Sequence, residues 1–267
     1  MKTAGKTKSV VISGHAHAYN REEARMPTLR SPQGEKEQAM PPTNQKAFKG
    51  TGMEGWIARW YARTRKNEAE DFRRRAKSVA ERLGSGSDVL EVAPGPGYFA
   101  IELARLGAFK ITGLDISQTF LEIANENARS AGVRIDFRLG NASAMPFVDE
   151  SFDFIYCAAA FKNFAQPGEA LDEMHRVLRP GGEAVVEDLR RDISIDEIDT
   201  YVERSGRNWI DAFVTKWVFR HMLINRAYTG EEFVHMAKDS KFGSCQIRAA
   251  PMGLEVRFAK PVHQIAS

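Results

Sequence analysis

The sequence predicts an α/β protein. Its core is a Rossmann-like, doubly wound, mostly parallel seven-stranded sheet with an antiparallel C-terminal edge, preceded by N-terminal helices. Three observations carry that reading. Between residues 87 and 189, apolar runs of strand length alternate with amphipathic stretches of helix length, which specifies a parallel sheet with helices on both faces. The first of those runs leads into a glycine-rich turn, Ala93-Pro-Gly95-Pro-Gly97, that opens a helix. Near the C-terminus the pattern changes to two period-two runs, Cys245/Ile247/Ala249 and Leu254/Val256/Phe258, around Pro251-Met252-Gly253, as in an antiparallel strand pair.

The elements follow in order. Residues 1–50 are rich in Lys, Gly, Pro, Ser, Thr and Gln and carry nine Lys/Arg against four acids. They hold too little apolar surface to offset their ordering entropy, so a disordered extension is expected, with the domain spanning 51–267. His15-x-His17 within it lacks a third ligand, and no metal site is expected. Met53, Trp56, Ile57, Trp60 and Tyr61 form a helical stripe, and Phe72, Ala76, Val79, Ala80 and Leu83 a second, closed by Gly84; together they make a pair of N-terminal helices, 51–84. Arg73-Arg74-Arg75 read as the solvated face of the second. Strands are expected at Asp88–Val92, Lys110–Leu114, Arg134–Leu139, Phe152–Cys157 and Glu183–Leu189. The helices between them run to about Leu106, from the N-cap Ser117 to Ala131, and from Pro167 to Leu178. A helical insertion at 193–228 carries the stripe Ile210, Phe213, Val214, Trp217, Val218, His221 and Ile224, and Thr229-Gly-Glu-Glu232 is a capping box.

Composition narrows the function. The chain is 43% hydrophobic and 27% charged with a net charge of +3, ordinary for a globular protein and too small an excess to imply nucleic acid. No run of 18 apolar residues and no signal-peptide core occur, and two cysteines, Cys157 and Cys245, cannot build a disulfide framework or a four-thiolate zinc site. A cytoplasmic protein with a small-molecule substrate, no nucleic-acid or membrane partner and no resident metal is expected; its oligomeric state is not readable.

The chemistry concentrates at the strand ends. Gly95 and Gly97 let the backbone approach a ligand in front of a helix N-terminus, and Asp115 lies where an acid can hold ribose hydroxyls. As a bare pattern, Gly95-x-Gly97-x-x-Ala100 also fits a dinucleotide site. Glu91, directly before the loop, suits a cationic ligand end better than a pyrophosphate. Gly140-Asn141-Ala142 after the third strand can meet an adenine edge, and His175 to Gly182 ends a helix in a Pro-Gly-Gly turn. Together these motifs resemble the class I S-adenosylmethionine-dependent methyltransferases, in particular their small-molecule, type 11-like branch. The resemblance covers about Met53 to Lys260.

That resemblance implies S-adenosyl-L-methionine as cofactor. Glu91, Ala93, Gly95 and Gly97 would hold its methionine part, Asp115 its ribose, Ile116 its adenine face, and Asn141 and Ala142 its adenine edge. Two positions depart from the family pattern: Ala93 stands for the usual first glycine, and Asn141 for a frequent aspartate. The implied reaction is in-line transfer of a methyl group to a small molecule, for which an enzyme mainly orients the nucleophile and excludes water. The acceptor pocket should lie outside the strand C-terminal ends, with Phe161, Lys162, Asn163 and Arg191 as candidate substrate residues. Trp56, Trp60 and Tyr61 would form a lid and Trp217 the opposite wall, while His221 and Lys162 are the candidate catalytic groups. Ala158-Ala159-Ala160-Phe161 replaces the Asp/Asn-Pro-Pro-aromatic tetrad expected for methylation of a nucleic-acid base. An NAD-dependent oxidoreductase, disfavoured by Glu91 and the Pro180-Gly-Gly turn, and a non-methylating S-adenosylmethionine-binding protein are the alternatives.

Overall fold

A computed structural model describes residues 48–49, 52–204, 224–250 and 252–262. Seven strands form one sheet: β1 (Asp88–Val92), β2 (Lys110–Asp115), β3 (Asp136–Leu139), β4 (Phe152–Ala158), β5 (Leu178–Leu189), β6 (Gln246–Ala249) and β7 (Gly253–Ala259). Their order is β3-β2-β1-β4-β5-β7-β6. The first five are parallel, and β7 enters antiparallel between β5 and β6, pairing Glu183 with Ala259 through Leu189 with Gly253. The expected sheet is therefore present, with the C-terminal pair at one edge. β5 starts earlier than the sequence suggested: Leu178 pairs with Phe152, and the register then shifts across Gly181-Gly182.

Helices α1 (Gly55–Arg65), α2 (Ala69–Ala80), α3 (Tyr98–Ala104), α4 (Gln118–Ala131), α5 (Pro167–Val177), α6 (Ile195–Arg204) and α7 (Gly230–Asp239) surround it. Their ends follow local chemistry. The Ser117 hydroxyl accepts the Phe120 N–H, Pro167 opens α5, and Thr229 and Glu232 close a reciprocal capping box on α7. Helix α2 ends at Ala80 rather than running to Gly84. On one face of the sheet, Leu90, Ile155, Cys157 and Val186 pack against Leu171, Met174 and Phe233. On the other, Val89, Phe154, Tyr156 and Val185 meet Ala76, Val79, Phe99 and Leu103 of α2 and α3. Tyr156 stacks on Phe99 at a centroid distance of 4.1 Å.

Three expectations need adjusting. Helix α1 buries Ala58 and Ala62, and its tryptophans face outward, so the apolar stripe read from Met53 to Tyr61 is not the packed face. Of the three consecutive arginines, Arg73 and Arg74 are exposed as expected, whereas Arg75 is half-buried and bridges Asp71 and Glu187. The boundary expected at residue 51 is crossed by Phe48, bridged to Phe164, and by Lys49, whose N–H donates to Asn163 O at 2.8 Å. The stripe from Ile210 to His221, including Trp217, lies outside the described residues, as do His15 and His17.

Candidate functional site

The three strands β1, β2 and β3 end side by side, and a ring of backbone bonds ties their exits together. Ala93 N–H donates to Leu114 O at 2.7 Å and Gly140 N–H to Asp115 O at 2.9 Å. The Asp115 carboxylate accepts Gly95 N–H at 3.0 Å and Ser117 N–H at 2.9 Å. Glu91, Ala93, Gly95, Gly97, Asp115, Ile116, Asn141 and Ala142, the eight expected cofactor residues, are thereby gathered at one end of the sheet.

The turn after β1 takes its shape from three left-handed residues: Ala93 at φ +57°, Gly95 at +53° and Gly97 at +77°. Ala93 does adopt the conformation that suits its glycine counterpart, at a cost of about 1–2 kcal/mol for an L side chain. The two glycines have different reasons. A Cβ on Gly97 would come within 2.8 Å of the Phe137 ring and 3.1 Å of Ala124, so packing inside the fold forbids one. A Cβ on Gly95 would meet nothing within 4 Å, so its bare face borders open space where a ligand can lie. Asn127 Nδ2 braces the turn through Pro96 O at 2.9 Å.

Two buried carboxyls stand beside that space. Glu91 is 5% exposed and Asp115 6%. Burial pushes Glu91 up to about 8, although the Ala100 N–H donates to it, and its Oε2 has no hydrogen-bond partner among the described residues. Burial also raises Asp115, to about 6, against the pull of the Ser117 and Gly95 N–H groups. A buried acceptor without a donor is costly, and a cationic ligand end would satisfy it. Ile116, 39% exposed, presents an apolar surface directly after Asp115, and Ala142 is buried at the exit of β3. Asn141 uses its Oδ1 to accept Ser143 N–H at 3.0 Å, so this oxygen shapes its own turn first. The residues fit S-adenosylmethionine: an orphaned acid for the positive end, an open glycine face, a second acid for a diol and an apolar surface for a ring.

Sequence reasoning missed how this site is roofed. Glu54, just before α1, accepts Gln118 N–H, Thr119 N–H and the Thr119 hydroxyl at 3.0, 3.1 and 2.5 Å, crowning the N-terminus of α4. Burial works against its ionised form, but the bonds from Thr119, Ser117 and Gln118 hold its carboxyl below the usual range. Ser117 Oγ donates to Met53 O at 2.7 Å, and Tyr98 Oη donates to Ala62 O at 3.0 Å. Helix α1 is thus tied at its start to α4 and near its end to α3, the two helices that follow β2 and β1. Tyr61 meets Phe120 edge-on at 5.8 Å. Trp56 and Trp60 are 76% and 58% exposed and do not enter the site. No signal in one sequence marks Glu54 as a cap for a helix 64 residues away.

The candidate acceptor residues behave differently. Lys162 is 3% exposed; its Nζ donates to Asp188 Oδ1 at 2.7 Å and to Ala159 O at 2.6 Å, and its N–H donates to Asp188 Oδ2 at 2.8 Å. An ammonium held this way is a strut between β4 and β5, and the structure does not present it as a base. Phe161 is fully buried among Phe164, Tyr228 and Phe233 and lines no cleft. Arg191 is committed to Ala227 O and Glu232, and Asn163 is half-buried with its carbonyl bonded to Lys49. His221 and Trp217 lie outside the described residues. The left-handed conformation of Ala159, φ +57° where β4 ends, was not expected from the sequence; like Ala93 it turns the chain at the end of an inner strand.

Known proteins share this sheet order and parts of this sequence. Residues 90–186 match the family model described as a methyltransferase domain. Over that stretch the chain is similar to methyltransferase domains. It is 41% identical over 114 residues to a demethylmenaquinone methyltransferase of Deinococcus radiodurans, covering 42% of this chain and 47% of that protein. It is 34% identical over 138 residues to the methyltransferase GfsG of Streptomyces halstedii, covering 50% of each. The chain thus spans about half the length of these curated relatives. A solved candidate S-adenosyl-L-methionine-dependent methyltransferase of Methanococcus maripaludis superposes with a TM-score of 0.64 at 19% identity, covering 83% of this chain and all of that one. A methyltransferase of Aquifex aeolicus gives 0.52 at 17% identity, over 68% and 88% of the two chains. At such identities the structures share the fold.

Proposed function

We propose that the protein transfers the methyl group of S-adenosylmethionine to a small apolar acceptor, with the cofactor held at the ends of β1, β2 and β3. The observation that carries this reading is Glu91, a buried carboxyl at the end of β1 whose Oε2 has no hydrogen-bond partner among the described residues, just before the open turn of Gly95. S-adenosylmethionine brings a sulfonium and an ammonium and so supplies both the methyl group and the charge that this carboxyl lacks. Asp115 would hold the ribose diol with the lone pairs that Gly95 and Ser117 leave free, Ile116 would pack on the adenine, and Asn141 and Ala142 would border its edge. Helix α1 would keep water from the methionine end. The name of the Deinococcus relative points to a quinol ring as acceptor class. The names of further relatives specify methylation at carbon. His221 remains the candidate to take a proton from such an acceptor.

Calorimetric titration tests the cofactor. Because Glu91 is largely protonated at pH 7, a cation that settles beside it must drive its proton off. Titration in buffers of different ionisation enthalpy should therefore show release of a proton with S-adenosylmethionine between about pH 6 and 8. Binding of NAD in preference, without proton release, would restore the oxidoreductase. Transfer of labelled methyl to a demethylated quinol then tests the acceptor; tight cofactor binding with no transfer to any such ring would leave a binding protein.

A further inference from the structure

The outward face of α1 carries Trp56, Arg59, Trp60 and Arg63, at helical spacings of three and four, and all four are exposed. No acid occurs anywhere in the helix. Arg59, Arg63 and the following Lys66 have no carboxylate partner among the described residues, while Arg65 turns inward to Glu68. The neighbouring α2 provides an internal contrast. There Arg73 pairs with Glu70, and Arg74 and Arg75 share Asp71, so each of its three arginines has a carboxylate partner on its own helix. One exposed indole is unremarkable, but two a turn apart, framed by unpaired guanidinium groups, form an amphiphilic strip that water serves poorly.

We infer that this strip docks the protein on an anionic lipid surface. Indole rings favour the boundary between headgroups and acyl chains, and arginine stems extend along apolar surface while their heads reach phosphate. The alternatives fit less well. A second copy packing the same patch about a two-fold axis would set Arg59 and Arg63 against themselves. Single-stranded nucleic acid is bound in basic grooves with stacking platforms, whereas this strip is the convex side of a helix. The position of α1 adds a reason. Its two ends are tied to α4 and α3 beside the Gly95 turn, so a membrane under α1 lies at the rim of the site. Delivery of an acceptor from that membrane rests on the proposed methyl transfer; the docking does not. The sequence, with no run of 18 apolar residues, led to the expectation of no membrane partner; no helix among the described residues is long and apolar enough to cross a membrane, and docking on a lipid surface requires none.

The test uses the full chain and vesicles of phosphatidylcholine with or without about one third phosphatidylglycerol. Co-sedimentation at low salt should show at least about tenfold tighter binding to the anionic vesicles, weakening as salt is raised. The pairs Trp56→Ala/Trp60→Ala and Arg59→Glu/Arg63→Glu should each lower that affinity by about tenfold or more, with unchanged circular dichroism. Acyl-chain bromination should quench tryptophan emission in the unaltered protein and much less in the double alanine variant. Absence of vesicle binding overturns the proposal. So does binding that survives both variants, which would assign it to the basic first 50 residues. A concentration-dependent dimer abolished by the alanine pair, or RNA retention more sensitive than vesicle binding to the arginine changes, would replace the lipid by another partner. None of these readouts needs cofactor or acceptor, so their failure leaves the proposed reaction standing.

Discussion

Two pairs of charged groups sit at the same end of the sheet. At the exits of β4 and β5, Lys162 and Asp188 are both buried and satisfy one another through two hydrogen bonds, with a third from Lys162 to the Ala159 carbonyl. At the exits of β1 and β2, Glu91 and Asp115 are equally buried, are both acids and have only backbone donors. Burial penalises both pairs, but only the first contains its own counter-charge. The first closes the fold; the second leaves an unanswered acceptor that a cationic ligand would satisfy. An ionisable residue at a strand end therefore signals a site when its charge is unanswered, more than by its presence.

The largest expected effect tests the closed pair. Asp188→Ala strands the Lys162 ammonium in the core and should lower unfolding free energy by about 3–5 kcal/mol in chemical denaturation. Cofactor affinity per folded molecule should hardly change; a large specific loss of affinity with little loss of stability would move Lys162 and Asp188 into the site. Asp115→Ala acts on the other pair. It removes charge-accepting bonds to the ribose, each worth about 1.5–3 kcal/mol, and should weaken cofactor binding tenfold or more by calorimetry. It also frees Gly95 and Ser117, so some stability should go with it.

Glu91→Gln sharpens the contrast through pH. In the ligand-free protein Glu91 stays protonated up to about 8, while in the unfolded chain it ionises near the ordinary value of 4.5. Between these values the folded state binds more protons, so this carboxyl lowers stability as pH rises from about 4.5 to 8. Glutamine should flatten that fall and make the ligand-free protein more stable at alkaline pH, while weakening S-adenosylmethionine binding and abolishing its proton release. An unaltered stability profile in thermal melts across this range would show that Glu91 is not the group responsible. The smallest effect belongs to Ala93→Gly. Relief of the left-handed alanine, offset by the entropy of glycine, should stabilise the protein by up to about 1 kcal/mol in the same melts.

Much of the fold was legible because it depends on local pattern. The five parallel strands, the Ser117 cap, the Thr229 box and the antiparallel pair at the end each follow from residues within one or two turns of one another. The grouping of the candidate cofactor residues at one end of the sheet was legible for the same reason, since Glu91 to Gly97, Asp115 with Ile116, and Asn141 with Ala142 each sit where a strand stops. What was misread depends on distance. The periodicity of α1 is compatible with two faces, and the large tryptophans drew attention from the small Ala58 and Ala62 that allow close packing. Lys162 looked available because Asp188, its partner, is 26 residues away. Phe161 looked like a pocket wall because its aromatic neighbours Tyr228 and Phe233 arrive from far along the chain.

The place of β7 has a consequence for how the chain is made. β5 is buried on both faces over Ala184–Val186, and its outer neighbour is the last strand among the described residues. While a ribosome is still adding residues between Leu189 and Gly253, β1 to β5 can already pair, but β5 remains a bare edge with a full row of unanswered N–H and C=O groups. The nascent protein thus passes through a stage in which its longest strand is an open template for other chains. Arrival of Gly253 to Ala259 ends that exposure in one step, antiparallel register and all.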